Sequence, residues 1–148
     1  MVIRRAGLAD LAALAALEAA SFVCDGVSRR AMAGFLRSPA ALVLLDEEGA
    51  GAALRGHLVL RFHARHRIAR VYSIAVAAAA MGQGVGRALV ASAELAARAR
   101  GSAAVRLEIS VDNAPSQALF RACGYQVFGH YDDYYEDGGA ALRLQKML

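Results

Sequence analysis

The chain has no tryptophan, two prolines and two cysteines among its 148 residues, and Lys146 is its one lysine. Each scarcity excludes something. Cys24 and Cys123 stand far apart with no second ligand at metal spacing, so neither a disulfide framework nor a zinc site is expected. Each reads as a small apolar residue. His57, His63, His66 and His130 also lack the spacing of a metal set. Hydrophobic residues make up 57% of the chain and mean hydropathy is +0.36, yet no run approaches the roughly 18 apolar residues of a membrane-spanning helix. Alanine dominates the apolar set, and Arg, Asp or Glu interrupts every long stretch. The opening MVIRRAGLAD has no apolar core followed by a cleavage site, so it is not a signal peptide. A soluble, cytoplasmic protein without membrane association is expected.

The formal charge is +4, carried almost wholly by arginine. With so much alanine, that bias reads as genome composition. The segment RGHLVLRFHARHRIAR concentrates Arg and His, but a nucleic-acid surface needs aromatic partners for bases, and Phe62 is the sole candidate. A solvated hairpin is expected there, and no nucleic-acid partner. Diffuse positive charge favours an anionic cofactor.

The rest is orderly. VIRRA is short and alternating, predicting a first strand, and DLAALAALEAASF sets Leu11, Leu14, Leu17 and Phe22 at helical spacing with Asp10 as cap. SRRAMAGFLRSP predicts a second helix, begun by Ser28 and stopped before Pro39. AALVLLDEEGAGAALRGHLVLRF reads as two strands joined by a turn around DEEG. RIARVYSIAV is the next strand, and its apolar density predicts burial on both faces. A long helix from about Val85 to Arg100 precedes strand SAAVRLEIS and helix NAPSQALFRACG, which starts at Asn113 and ends at Gly124. YQVFGHY and ALRLQKM close the chain as strands. No linker or repeat intervenes, so residues 1–148 are expected to form one domain. The order contains one β-α-β crossover, around residues 68 to 110, whose strands become parallel neighbours. The expected class is α/β, a mixed central sheet flanked by about four helices.

Chemistry concentrates in VAAAAMGQGVGRALV, where Gly82, Gly84 and Gly86 lead into the long helix. A glycine turn from strand to helix bares backbone N–H groups at the positive end of the helix dipole, which makes an anion site. A P-loop needs Lys-Ser/Thr after the last glycine, and Arg87-Ala88 stands there. A dinucleotide fingerprint needs G-x-G-x-x-G, and its acidic partner is poorly met by Glu108, inside the next strand.

SIAVAAAAMGQGVGRAL, RLEISVDNAPSQALFRACGY and MVIRRAGLADLAALAALE together resemble the GNAT superfamily of acetyl-CoA-dependent N-acetyltransferases almost end to end. The look is nearest the N-terminal protein acetyltransferases of the ribosomal-protein-alanine type. The resemblance implies the GNAT fold and a coenzyme A site formed by Met81, Gly82, Gln83, Gly84, Val85, Gly86 and Arg87, with Asn113 and Phe120 also contacting it. It implies oxyanion donors at the backbone of Ile74, Ala75 and Val76, Glu108 as general base, and Tyr134 and Tyr135 as acceptor contacts. Acetyl-CoA would be the cosubstrate, without a metal, and a place near its adenosine 3′-phosphate would be the alternative to a solvated hairpin for RGHLVLRFHARHRIAR. The acceptor would be an amine on a protein N-terminus, a lysine or a small amine such as a polyamine. A monomer or a homodimer is expected.

Three positions depart from the family pattern. Met81 replaces a basic residue or Gln, with Arg87 close enough in sequence to supply charge, and Ala78 replaces a common proline. Phe120 stands where the ribosomal type has a tyrosine acid; Tyr125 and Tyr131 are the replacements to consider, or the thiolate, of pKa near 8.5, leaves unassisted. From the residues alone, Glu108 alternates with Leu107 and Ile109, and also fits a solvated or ion-paired strand residue. Asp132, Asp133, Glu136 and Asp137 form an acidic rim around the tyrosine pair that would attract an ammonium. A non-catalytic CoA-binding or regulatory module is the alternative function.

Overall fold

Alternation and helical spacing set down eleven main elements along the computed structural model, which describes residues 2–22, 26–47 and 54–148. They are β1 Ile3–Arg5, α1 Leu11–Ser21, α2 Arg29–Arg37, β2 Ala41–Glu47, β3 Leu54–Phe62, β4 Ile68–Val76, α3 Val85–Ala99, β5 Ala104–Ser110, α4 Ala114–Ala122, β6 Gln126–Tyr131 and β7 Ala141–Met147. Short 3-10 turns at Leu8–Asp10 and Ala78–Ala80 precede α1 and α3. The expected turn around DEEG runs into residues 48–53, and Cys24 into 23–25, both outside the described residues.

One seven-stranded sheet has the order β1-β2-β3-β4-β5-β7-β6. Every neighbouring pair is antiparallel except β4 and β5, the two strands joined through α3. A right-handed crossover is the ordinary solution for such a unit. The architecture is the α/β fold with a mixed sheet.

Two apolar layers fix the helices. On one face, Leu44, Leu58, Leu60, Val71, Val105, Leu107 and Leu144 meet Val85, Leu89, Ala93 and Ala97 of α3 and Phe120 of α4. On the other, Val43, Leu45 and Val59 meet Leu14 of α1 and Met32 of α2. This second layer covers only the β1–β4 half of the sheet, which leaves β5, β7 and β6 open on that side.

Two local expectations are corrected. Asp10 holds the N-cap position of α1, but its side chain makes no capping bond there; it turns back to the preceding 3-10 turn, accepting from the Gly7 N–H at 2.8 Å and pairing with Arg4. β4 is not buried on both faces. Ala69, Val71 and Ala75 are buried, while Tyr72 is 44% exposed because α1 and α2 stop short of covering its face.

Candidate active site

β4 and β5 pair only at Ile68–Arg70 with Ala104–Arg106, and beyond these positions they part. The separation begins where β4 carries an extra residue. Ser73 opposes Val59 and Val71 opposes Leu60, so Tyr72 has no partner in β3. Such a bulge disturbs the alternation of side chains. Tyr72 packs on Phe35 of α2 and Ser73 bonds Glu18 of α1, so both face the same helices. A cleft of about 200 Å³ opens between the parted strands, lined by Tyr72, Ser73, Ile74, Glu108, Asn113 and Phe120 among others.

The register fixes which backbone amides face the gap. Ala77 N–H bonds the Arg55 carbonyl of β3, and in an antiparallel ladder the direction alternates. The Ala75 N–H therefore points to its β3 partner His57, whereas those of Ile74 and Val76 point toward β5, where no strand pairs them. Of the three expected oxyanion donors, Ala75 is corrected on this ground. Ile74 and Val76 are available.

The glycine turn lies at the same end of β4. Gly82 has φ +78° and Gly84 φ +80°, a left-handed backbone that strains any residue with a Cβ. Open space surrounds both, while a Cβ on Gly86 would come within 3.0 Å of Leu119 Cδ2 in α4. The missing Cβ at Gly86 thus serves helix packing, while its N–H stays among the donors that open α3. The N–H groups of Gly82 and Gly84 bond nothing among the described residues, and those of Val85, Gly86 and Arg87 begin α3 without backbone acceptors. This string of unpaired donors matches an elongated anion such as a diphosphate. Met81 and Gln83 are exposed at the turn, with Gln83 Nε2 bonding the Ala79 carbonyl. Arg87 is exposed on the first turn of α3.

Glu108 enters the cleft from β5. Its side chain is only 5% exposed, and its carboxylate is paired with Arg70 of β4 and, at 3.5 Å, with Arg143 of β7. The ion-paired alternative read from the sequence therefore describes its surroundings, and the carboxylate still lines the cleft. Asn113 caps α4, its Oδ1 accepting from the Ser116 N–H at 3.2 Å, and lines the same cleft. Phe120 is fully buried at the cleft floor, edge-on to Tyr125 at 5.2 Å. Tyr125 cannot replace a tyrosine at that site. Its hydroxyl donates to Glu94 at 3.0 Å, and burial together with that carboxylate pushes its pKa far above the phenol range. Tyr131 lines a different groove, stacked on Tyr134 at 5.4 Å.

Tyr134 and Tyr135 pack edge to face at 5.0 Å. Tyr135 lines the cleft, and Tyr134 lines a larger groove of about 690 Å³ on the open sheet face. Glu108 borders both. The tyrosine pair stands where the two spaces meet. Of the expected acidic rim, Asp137 lines the cleft, and Asp132 and Asp133 line the groove.

A buried polar group was not anticipated from sequence. Glu18 of α1 is 2% exposed; its Oε2 lies 2.6 Å from His57 Nε2, and its Oε1 accepts from the Val27 N–H and the Ser73 hydroxyl. Burial would raise its pKa, but these three partners outweigh that and hold it below the usual carboxylate range. Ser73 carries this network to the cleft wall. A signal existed: Leu11, Leu14 and Glu18 share one helical stripe, which puts a carboxylate where a core residue belongs. Among the described residues, no group of three or more His, Cys, Asp or Glu is arranged to hold a metal ion. No helix among them is long and apolar enough to cross a membrane.

Residues 4–125 match the family model described as the Acetyltransferase (GNAT) family. The chain belongs to that family. The GNAT fold extends over the whole described chain, as solved structures attest. A ribosomal-protein-alanine N-acetyltransferase from Brucella melitensis is 27% identical, with a TM-score of 0.84 over 100% of both chains. The ribosomal-protein-S18-alanine N-acetyltransferase from Escherichia coli is 22% identical, with a TM-score of 0.86 over 99% of this chain and 92% of that one. A Mycobacterium leprae protein described as uncharacterised is 41% identical over 76 residues. That stretch is 51% of this GNAT chain but only 20% of the relative, so the match spans about a fifth of the relative's length.

Proposed function

We propose that the chain is an acetyl-CoA-dependent N-acetyltransferase that moves an acetyl group directly to a primary amine, the acceptor being a polypeptide N-terminus. One observation carries this reading: the unpaired amides of Gly82 and Gly84 to Arg87 follow the end of β4 that parts from β5, and the carboxylate of Glu108 lines the cleft between the parted strands. Membership of the family and likeness to enzymes named for N-terminal alanine acetylation support it.

Acetyl-CoA, when bound, supplies an activated acyl thioester. The amides of Gly82, Gly84, Val85, Gly86 and Arg87 fit its diphosphate, with Arg87 the nearby cation and Asn113 and Phe120 bordering the acyl end. Ile74 and Val76 offer N–H groups to the carbonyl oxygen as negative charge builds there. A preorganised donor of this kind contributes about 3 kcal/mol. An α-amine has a pKa near 8, so most of it is protonated at neutral pH and must lose a proton before attack. Glu108 accepts that proton, directly or through water. Arg70 and Arg143 hold its carboxylate in position but also occupy part of its accepting capacity. Phe120 gives no proton, and a free thiol's pKa near 8.5 lets the sulfur leave as thiolate and take its proton from solvent. Tyr135 and Tyr134 flank the entry of the acceptor.

The test is acetyl-CoA consumption against a panel of peptide and small amines, with products read by mass spectrometry. Glu108→Gln is expected to lower kcat by about 10² to 10⁴, the range for a general base, with CoA affinity retained. Turnover unaffected by this change would remove Glu108 as base. The double guanidinium grip on Glu108, with Phe120 in the cleft, favours a second reading, a CoA-binding module without efficient chemistry. Tight CoA binding without turnover on any amine would select it.

A further inference from the structure

The groove beside the cleft gathers four arginines. Arg61 of β3, Arg70 of β4, Arg106 of β5 and Arg143 of β7 all line it. Arg61 and Arg70 lie at the edge of the half that α1 and α2 cover, and Arg106 and Arg143 on the half they leave open. Arginine brings five N–H donors, so the four offer about twenty. Their partners among the described residues are few: Arg70 pairs with Glu108 and donates to the Tyr134 hydroxyl at 2.7 Å, Arg143 pairs with the same Glu108 at 3.5 Å, and Arg106 Nε donates to Gln145 Oε1 at 3.0 Å. The Nε atoms of Arg70 and Arg143 are buried without a hydrogen-bond acceptor.

Aromatic rings hold these guanidiniums in place without neutralising them. Arg61 lies 5.4 Å from the Tyr72 ring and 5.7 Å from the Phe35 ring. Arg106 lies 4.9 Å from Phe128, and Arg143 lies 4.6 Å from both Phe128 and Tyr131. No carboxylate of the described residues pairs with Arg61 or Arg106. Asp132 and Asp133 also line the groove from the loop after β6, and Asp132 stands 82% exposed beside His130.

We infer that this groove receives the chain of an acidic acceptor polypeptide, one with Asp or Glu at the second or third position after the amine that enters the cleft. The inference rests on the acetyl-transfer reading for the direction of the chain, because Glu108 and the tyrosine pair join the groove to the cleft. Arg106 lies two residues before Glu108 on the same strand face, about 7 Å away by strand rise. That is within two residues of an extended acceptor. Charge complementarity selects the occupant: an acidic side chain supplies the acceptors these donors lack, whereas a basic one meets repulsion.

The test measures binding and turnover separately. Fluorescence anisotropy on the CoA-loaded protein compares labelled hexapeptides that share a first residue and carry Asp-Glu, Gln-Gln or Lys-Arg next. The acidic peptide is expected to bind about tenfold more tightly than the neutral one, and this preference to shrink at high salt. Arg61→Gln with Arg106→Gln is expected to abolish the preference, while Arg98→Gln on α3 leaves it. Equal binding, or preference for the basic peptide, overturns the inference. So does an oligonucleotide of matched charge that binds more tightly through the same two arginines. Acidic-peptide binding through Arg61 and Arg106 without acetylation of any peptide would uphold the groove and refute acetyl transfer.

Discussion

Glu18 is a single residue whose state decides how the acceptor side of the cleft is held. Its partners keep its folded pKa below the ordinary 4.5. A depressed carboxylate contributes stability that is full above its unfolded pKa and lost as pH falls through the folded one. Wild-type stability is therefore expected to be flat from about pH 6 to 5 on this account, and to fall below about pH 4. Glu18→Gln should weaken that acid-side fall in urea titrations. It should also cost about 3 kcal/mol at neutral pH, because His57 is left buried without its carboxylate. An unchanged urea midpoint would show that the network contributes little. The family resemblance made Glu108 conspicuous, whereas Glu18 was hidden among alanines and leucines. Its partners His57 and Ser73 are distant in sequence and meet only once α1 lies on the sheet.

At the scale of elements, periodicity was enough to order the strands and helices, since each long segment shows one apolar face. The β4 bulge was not legible. RIARVYSIAV alternates imperfectly, and nothing in it tells which residue lacks a partner across the ladder. Backbone N–H groups alternate in direction along a strand, so Ile74, Ala75 and Val76 cannot all face the gap, and the three-residue expectation was too broad by one. The glycines were legible as a group but not by role. Gly84→Ala must adopt φ near +80°, which costs about 1 to 2 kcal/mol and turns the amides of the loop. It is expected to weaken CoA binding at least about tenfold, since 1.4 kcal/mol is one decade. Gly86→Ala presses on Leu119 instead, and should lower the melting temperature with a smaller effect on CoA affinity. Calorimetric titration of both variants separates the roles; equal losses of CoA affinity would contradict the division.

For the whole molecule, the half-covered sheet joins two spaces that both suit anionic partners. The turn and cleft between β4 and β5 suit an anionic cosubstrate, and the arginine groove extends from the same cleft over the open face. The hairpin side of the RGHLVLRFHARHRIAR segment lies at the far end of β4 from the glycine turn, about 26 Å away by strand rise. A role near the adenosine 3′-phosphate is therefore not supported for that segment, and its arginines reappear in the groove. This was invisible to a reading by composition, because the four groove arginines come from four strands. Binding only to the folded state predicts that acetyl-CoA at about 100 times its Kd adds roughly 2.7 kcal/mol. The corresponding rise in melting temperature is about 5 to 10 °C, whereas ATP or NAD at equal concentration should give little.

The most direct measurement is a crystal structure of the chain grown with acetyl-CoA. The account predicts diphosphate oxygens within hydrogen-bonding distance of the amides between Gly82 and Arg87, and the thioester carbonyl facing the Ile74 and Val76 amides beside Glu108. Coenzyme density elsewhere, with that turn contacting only protein, would contradict it.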